Sequence, residues 1–131
     1  MSTRGYVGRL NADGSVDAIY NHFDSYFNCL GKDLLNKFTT QKSVDDLITR
    51  GDGSYVLDEG HYEDAQPHHF DNLVDYEETI DNDIFLEYGY VFIEGKWYGK
   101  NHRYARQYMS NPDEEGNGCY WEFTPLELIL V

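Results

Sequence analysis

The stretch "GYVGRLNADGSVDAIY", residues 5–20, constrains the fold more than any other. Two runs of strand composition flank "NADGS", and Asp13-Gly14 is a strong tight-turn signal because glycine enters the positive-φ region without steric cost. The pattern predicts a β-hairpin with strands over 5–10 and 16–20. A second one follows in "IFLEYGYVFIEGKWYG", residues 84–99, which reverses around Glu94-Gly95-Lys96. There Tyr88, Tyr90 and Phe92 fall on one face of a strand, with Glu87, Val91 and Ile93 on the other. "CYWEF", residues 119–123, reads as a further strand.

Helical spacing appears between the hairpins. Phe27, Leu30, Leu34, Leu35 and Phe38 recur on one face and predict a helix over 27–38. Ser43 is placed to cap a second short helix that stops at Gly51. Leu73, Tyr76 and Ile80 share a face and suggest a helical turn over 72–79. Thr124-Pro125-Leu126-Glu127 has the form of a capping box with proline at the first helical position. The expected class is α+β, an antiparallel sheet with two or three short helices on one face. At 131 residues the chain is the size of one domain, 1–131, and its twelve tyrosines suit a small core with a tyrosine-rich surface.

The charge is large and segregated. The formal net charge is −14, yet residues 1–50 balance, with six Lys/Arg against six Asp/Glu. Between Arg50 and Lys96 there is no Lys or Arg, while thirteen Asp/Glu lie there. Tyr55, Val56, Tyr62, Phe70, Leu73, Val74, Tyr76 and Ile80 are interspersed, and a disordered segment is usually poor in such residues. Two readings stay open for the acidic segment 51–95. One is a long solvated loop. The other is a folded face that displays Asp58, Glu59, Glu63, Asp64, Asp71, Asp75, Glu77, Glu78, Asp81 and Asp83 to a basic partner. The charge argues against direct binding of nucleic acid or of an anionic membrane. "MSTRGYVGRL" shows no hydrophobic block and no cleavage pattern, so a cytoplasmic protein with Cys29 and Cys119 reduced is expected.

"YNHFDSY", residues 20–26, packs an amide, an imidazole, a carboxylate and a hydroxyl among aromatic rings. As architecture it is a strand end, a turn and a helix start, with Asp24 or Ser25 as the N-cap. As chemistry, His22 oriented by Asp24 would activate a hydroxyl. A separate catalytic route would use Ser2 as an N-terminal nucleophile once Met1 is removed. His61, His68, His69 and His102 have no zinc spacing. The Asp/Gly turns place Arg9 and Arg50 where calcium ligands belong. Neither a phosphate-binding loop nor a dinucleotide fingerprint is present, so no metal and no cofactor is expected.

"STRGYVG", then "YNHFDSY", then Leu30-Gly31 resembles short bacteriophage and prophage proteins that open with a Thr-Arg-Gly strand and a turn of this type. The resemblance covers residues 2–31, with Phe27 where those proteins often carry proline. "STRGYVG" is also similar to the start of class II glutamine amidotransferases, with Ser2 in place of cysteine. The first resemblance implies a phage origin, and a bacterial host cytoplasm as the site of action. With the acidic segment, it favours a non-enzymatic inhibitor that occupies the basic groove of a host defence protein as a nucleic-acid mimic, of anti-CRISPR or anti-restriction type. A small hydrolase using Ser2 or His22 and Asp24, and an interaction module working through the tyrosine-rich surface, are the alternatives.

Overall fold

In a computed structural model, residues 3–58, 65–83, 85–101 and 120–130 are described. Strands β1 (Gly5–Leu10) and β2 (Val16–Asn21) form the expected hairpin, in register from Gly5–Asn21 to Leu10–Val16. Its turn is closed by the Asp13 carboxylate, which accepts from Ser15 N–H at 3.0 Å and Ser15 Oγ–H at 2.6 Å, with Gly14 at φ 90°. Strands β4 (Tyr88–Ile93) and β5 (Lys96–Asn101) form the second hairpin. Glu94 and Gly95, at φ 48° and 85°, supply the two left-handed positions that a two-residue reversal needs.

Strands β3 (His68–Phe70) and β6 (Thr124–Pro125) complete a six-stranded sheet in the order β3-β2-β1-β4-β5-β6. Two features differ from expectation. The strand predicted at 119–123 lies just beyond it, at Thr124–Pro125, while Cys119 falls outside the described residues. The sheet is also not wholly antiparallel, because β1 and β4 pair in parallel from Gly5–Tyr88 to Arg9–Phe92. Local turn chemistry sets hairpins, but it says nothing about which strand takes the remaining edge of β1.

Helices lie on both faces of the sheet, not on one. On the first face Val7, Ile19, Tyr88, Tyr90 and Phe92 pack with Phe27, Leu30, Leu34, Val44, Leu47 and Leu126. These come from a π-helical turn (Phe27–Gly31), α1 (Lys32–Lys37), α2 (Gln41–Arg50) and α4 (Leu126–Ile129). On the second face α3 (Leu73–Asn82) presses Tyr76 and Ile80 onto Val16, Ala18 and Val91. Missing side chains make room for it. A Cβ at Gly8 would lie 2.9 Å from the Tyr76 ring, and one at Gly89 would lie 2.5 Å from Ile80 Cδ1. The sequence carries a trace of this burial. β4 reads "YGYVFI" with five of its six residues buried, as expected for a strand covered on both sides.

The caps also differ in part. Ser43 does not cap α2. Thr40 does, accepting from Ser43 N–H at 3.1 Å, while Ser43 Oγ accepts from Thr40 N–H at 3.1 Å. Serine at the third helical position thus closes the reciprocal box that Glu or Gln usually closes. Gly51, at φ 78°, ends the helix as expected. Neither Asp24 nor Ser25 caps the 27–37 segment, whose N-cap is Tyr26, with no side-chain bond. Thr124 does not cap α4 either, since its hydroxyl donates to the Glu122 carbonyl at 3.0 Å. Asn72 caps α3, its side chain accepting from Asp75 N–H at 2.8 Å.

Candidate acidic face on α3

The acidic segment is folded where it is described, and it contributes β3, α3 and β4 to the sheet and its second face. Its carboxylates do not act alike. The phase of α3 turns Glu77 and Asp81, one turn apart, toward the sheet. Lys100 of β5 meets them there, its ammonium 2.9 Å from Asp81 and 3.6 Å from Glu77, with its side chain 1% exposed and the Phe123 ring 5.6 Å away. Asp75 and Glu78 occupy the opposite, exposed flank, with Asp71 exposed just ahead of the helix.

Asp83 follows the helix and turns the chain, its carboxylate accepting from Phe85 N–H at 2.9 Å. Asp75, Glu78, Thr79, Asn82, Asp83 and Phe85 line one shallow open depression. Phe85 and Val74 are each 62% exposed, and the Arg4 guanidinium sits 5.5 Å from the centre of the Phe85 ring. Burial raises the Glu87 carboxyl above the usual range, with Arg4 working against it.

Of the ten predicted contact residues, the structure therefore brings Asp75, Glu78 and Asp83 together and places Asp71 at the head of the same helix. It sets Glu77 and Asp81 apart, against Lys100. Asp58 is exposed beyond α2, and its carbonyl accepts from Arg50 Nη1 at 3.3 Å. Glu59, Glu63 and Asp64 lie outside the described residues.

"YNHFDSY" is built as a knot. Asn21, 1% exposed, donates from Nδ2 to the Phe23 carbonyl and to Ser25 Oγ, both at 2.8 Å. Ser25 Oγ–H returns to the Asn21 carbonyl at 3.2 Å, and the Ser25 carbonyl accepts from Tyr90 Oη–H at 2.6 Å. Asp24 is exposed, with φ 57°. The partner of His22 Nδ1 is the Tyr20 hydroxyl at 2.6 Å, not Asp24. Ser2 lies outside the described residues. Cys29 is a free thiol 3.3 Å from the Tyr55 hydroxyl, which donates to Asp33 at 2.5 Å.

Sequence reasoning missed two histidine–aspartate contacts. His68 Nε2 lies 2.9 Å from Asp52, and His69 Nδ1 lies 2.7 Å from Asp17. Their members are 16 and 52 residues apart, too far for any local pattern to connect. Among the described residues no group of three His, Cys, Asp or Glu is arranged to hold a metal ion. No helix among them is long and apolar enough to cross a membrane. Comparisons with protein-family models, curated proteins and solved structures return no match.

Proposed function

We propose that this protein is a non-enzymatic inhibitor that sets the outer flank of α3 into the basic, nucleic-acid-binding groove of a host defence protein. One observation carries the reading. Asp75 and Glu78 face solvent with Asp83 beside them, while Lys100 binds Glu77 and Asp81 on the opposite flank. One internal cation thus engages both of these carboxylates, offsetting one of their two charges, and leaves the outer ones for a partner. Residues three apart on a helix advance about 4.5 Å along its axis. That is of the same order as the roughly 3.4 Å axial charge spacing of one DNA strand, about a third wider. The net charge of −14 would speed approach to a basic surface. Exposed Phe85 adds an apolar contact of the kind that central interface residues make. The resemblance of residues 2–31 to phage proteins supplies the biological setting.

The test starts from a partner captured from bacterial cells and purified. Its affinity is measured across a salt series, for the native protein and for a variant in which Asp71, Asp75, Glu78 and Asp83 become Asn or Gln. The proposal requires binding that weakens steeply with salt, competition by nucleic acid, and loss of binding in the grouped variant. Binding that ignores salt, or a grouped variant that binds normally, overturns it.

A further inference from the structure

Strand β3 joins the sheet through three residue pairs, Ala18–His68, Asp17–His69 and Val16–Phe70. So short an edge strand has little to hold it. Two adjacent residues of it are histidines, and successive strand residues point to opposite faces. On one face His68 Nε2 reaches both Asp52 oxygens, at 2.9 and 3.0 Å, and its ring stacks on Tyr6 with centroids 5.4 Å apart. Asp52 comes from the loop after α2 and is itself fixed by Tyr20 N–H at 2.8 Å. On the other face His69 Nδ1 reaches Asp17 at 2.7 Å, and Asp17 also takes Arg9 Nη2 and Asn11 Nδ2, each at 3.0 Å. An aspartate therefore grips the strand from each side.

The charge pattern of the chain gives these rings a particular weight. Between residues 51 and 95 there is no Lys or Arg, so His61, His68 and His69 are the segment's only side chains that can become cations. We propose that β3 is an acid-engaged clasp, in which His69, gripping Asp17 while His68 bonds Asp52 on the other face of the sheet, holds the strand down when protonated and lets it open when neutral. The carboxylates around His69 favour this, while its desolvation works against them. Tyr6 of β1 and Asp52 face His68, and Asp17 of β2, Asp13 of the hairpin turn and Asp71 ahead of α3 surround His69. Arg9 opposes them through Asp17, but its second arm is drawn off to Asp45 of α2 at 3.0 Å.

The sign follows from the same geometry. The bond to Asp17 raises the pKa of the His69 imidazole above its ordinary value, with nearby Asp71 and Asp13 adding to the effect. A raised value in the closed form means that closure is favoured below the ordinary imidazole pKa of about 6.5 and weakens as pH rises through the raised value. Each unit of elevation changes the opening constant by up to about tenfold across the titration. Strand opening, and not global unfolding, is the event to expect, because short edges open at low free energy.

Backbone amide exchange of residues 68–70 tests this on the intact protein, without any partner. It is followed from about pH 5.5 to about pH 8.5, the range that brackets imidazole titration, and corrected for intrinsic exchange, with β1 and β4 amides as internal reference. The clasp predicts that opening at 68–70 increases toward alkaline pH, by up to about tenfold for each unit by which closure raises the His69 pKa, while the reference strands hold steady. NMR titration of the two rings in the same sample should place His69 above the ordinary imidazole value. His68→Gln with His69→Gln keeps amide donors but cannot titrate, so its opening should be independent of pH. Exchange at 68–70 that is flat in the native protein, or that increases toward acid, overturns the proposal whatever the variant does. The outcome is separate from the inhibitor reading, which concerns α3 and a partner.

Discussion

Lys100 Nζ lies 2.9 and 3.0 Å from the two oxygens of Asp81, a buried ammonium against a carboxylate that is 45% exposed. The asymmetry decides what each half of the pair costs to remove. Lys100→Met keeps the stem and leaves Glu77 and Asp81 to water, so it should destabilise by only about 1–3 kcal/mol. Glu77→Gln with Asp81→Asn strands a buried cation and should cost about 3–5 kcal/mol. Urea unfolding of both variants at neutral pH measures the difference, and the double variant should unfold first.

Gly8 lies under the Tyr76 ring, which is pinned by its hydroxyl's bond to the Tyr90 carbonyl at 2.7 Å. The ring has nowhere to retreat. Gly8→Ala should therefore cost about 1–3 kcal/mol through overpacking. Thermal melts give the size of the loss. Amide exchange should show it concentrated in α3, with α2 on the other face protected as before.

The "YNHFDSY" turn makes a contrary pair of expectations. Ser25 is fully buried and bonded to Asn21 at both ends, so Ser25→Ala should cost about 1–2 kcal/mol. Asp24 caps nothing and holds φ 57° at the surface. Asp24→Gly relieves that conformation and should leave the melting temperature unchanged or raise it. Paired melts of the two variants separate a capping turn, where Asp24 would matter, from the knot observed.

Asp17 gathers Arg9, Asn11 and His69 on one carboxylate. Its partial burial works to raise its pKa, but the bonds from His69 and Asn11, with Arg9 nearby, bring it below the ordinary value. A depressed carboxyl stabilises above the unfolded value of about 3.9 and loses that contribution as pH falls through the folded one. Asp17→Asn should therefore be less stable than the native protein near neutral pH, with the gap closing below about pH 4. The gap should also narrow on the alkaline side, as His69 loses its proton. Denaturant midpoints across pH trace both limbs.

For the acidic flank, single neutralisations such as Asp75→Asn should weaken partner binding by about 0–1 kcal/mol, because exposed ion pairs contribute little one at a time. The grouped change should remove the sum of such steps, since the field is a sum over the flank. Titration calorimetry on the series of one, two and four neutralised residues reads this directly.

Both hairpins were legible because their signals are local. Asp13-Gly14 and Glu94-Gly95 specify their own reversals, and the alternation of Tyr88, Tyr90 and Phe92 against Val91 and Ile93 appears in the two cores as read. The capping of α2 was harder, since Thr40 and Ser43 are both good caps and only the backbone decides between them. The parallel edge of β1 was not legible, because Gly5 and Tyr88 are 83 positions apart and neither advertises the other. The acidic face was readable as composition. Its division was not, for a lysine in a strand reads as surface charge until Lys100 is seen beneath α3. The His68–Asp52 and His69–Asp17 pairs depend on a three-residue strand that no periodicity announces.

The parallel join of β1 and β4 has a consequence for how the chain reaches this state. β1 closes its first edge within a few residues, by the turn at Gly14. Its second edge must wait for Tyr88 to Phe92, after both long helices of the intervening chain, β3 and the acidic segment have been made. Closing so long a loop is entropically costly before any distant contact offsets it, which makes the step slow relative to hairpin formation. Throughout that interval the hairpin presents an unpaired row of amides and carbonyls beside Val7 and Tyr6. Once residues 51–95 have emerged, their dense run of like charge would repel neighbouring copies until β4 closes that edge. The carboxylates of residues 51–95 would thus guard the folding sheet against strand exchange between molecules.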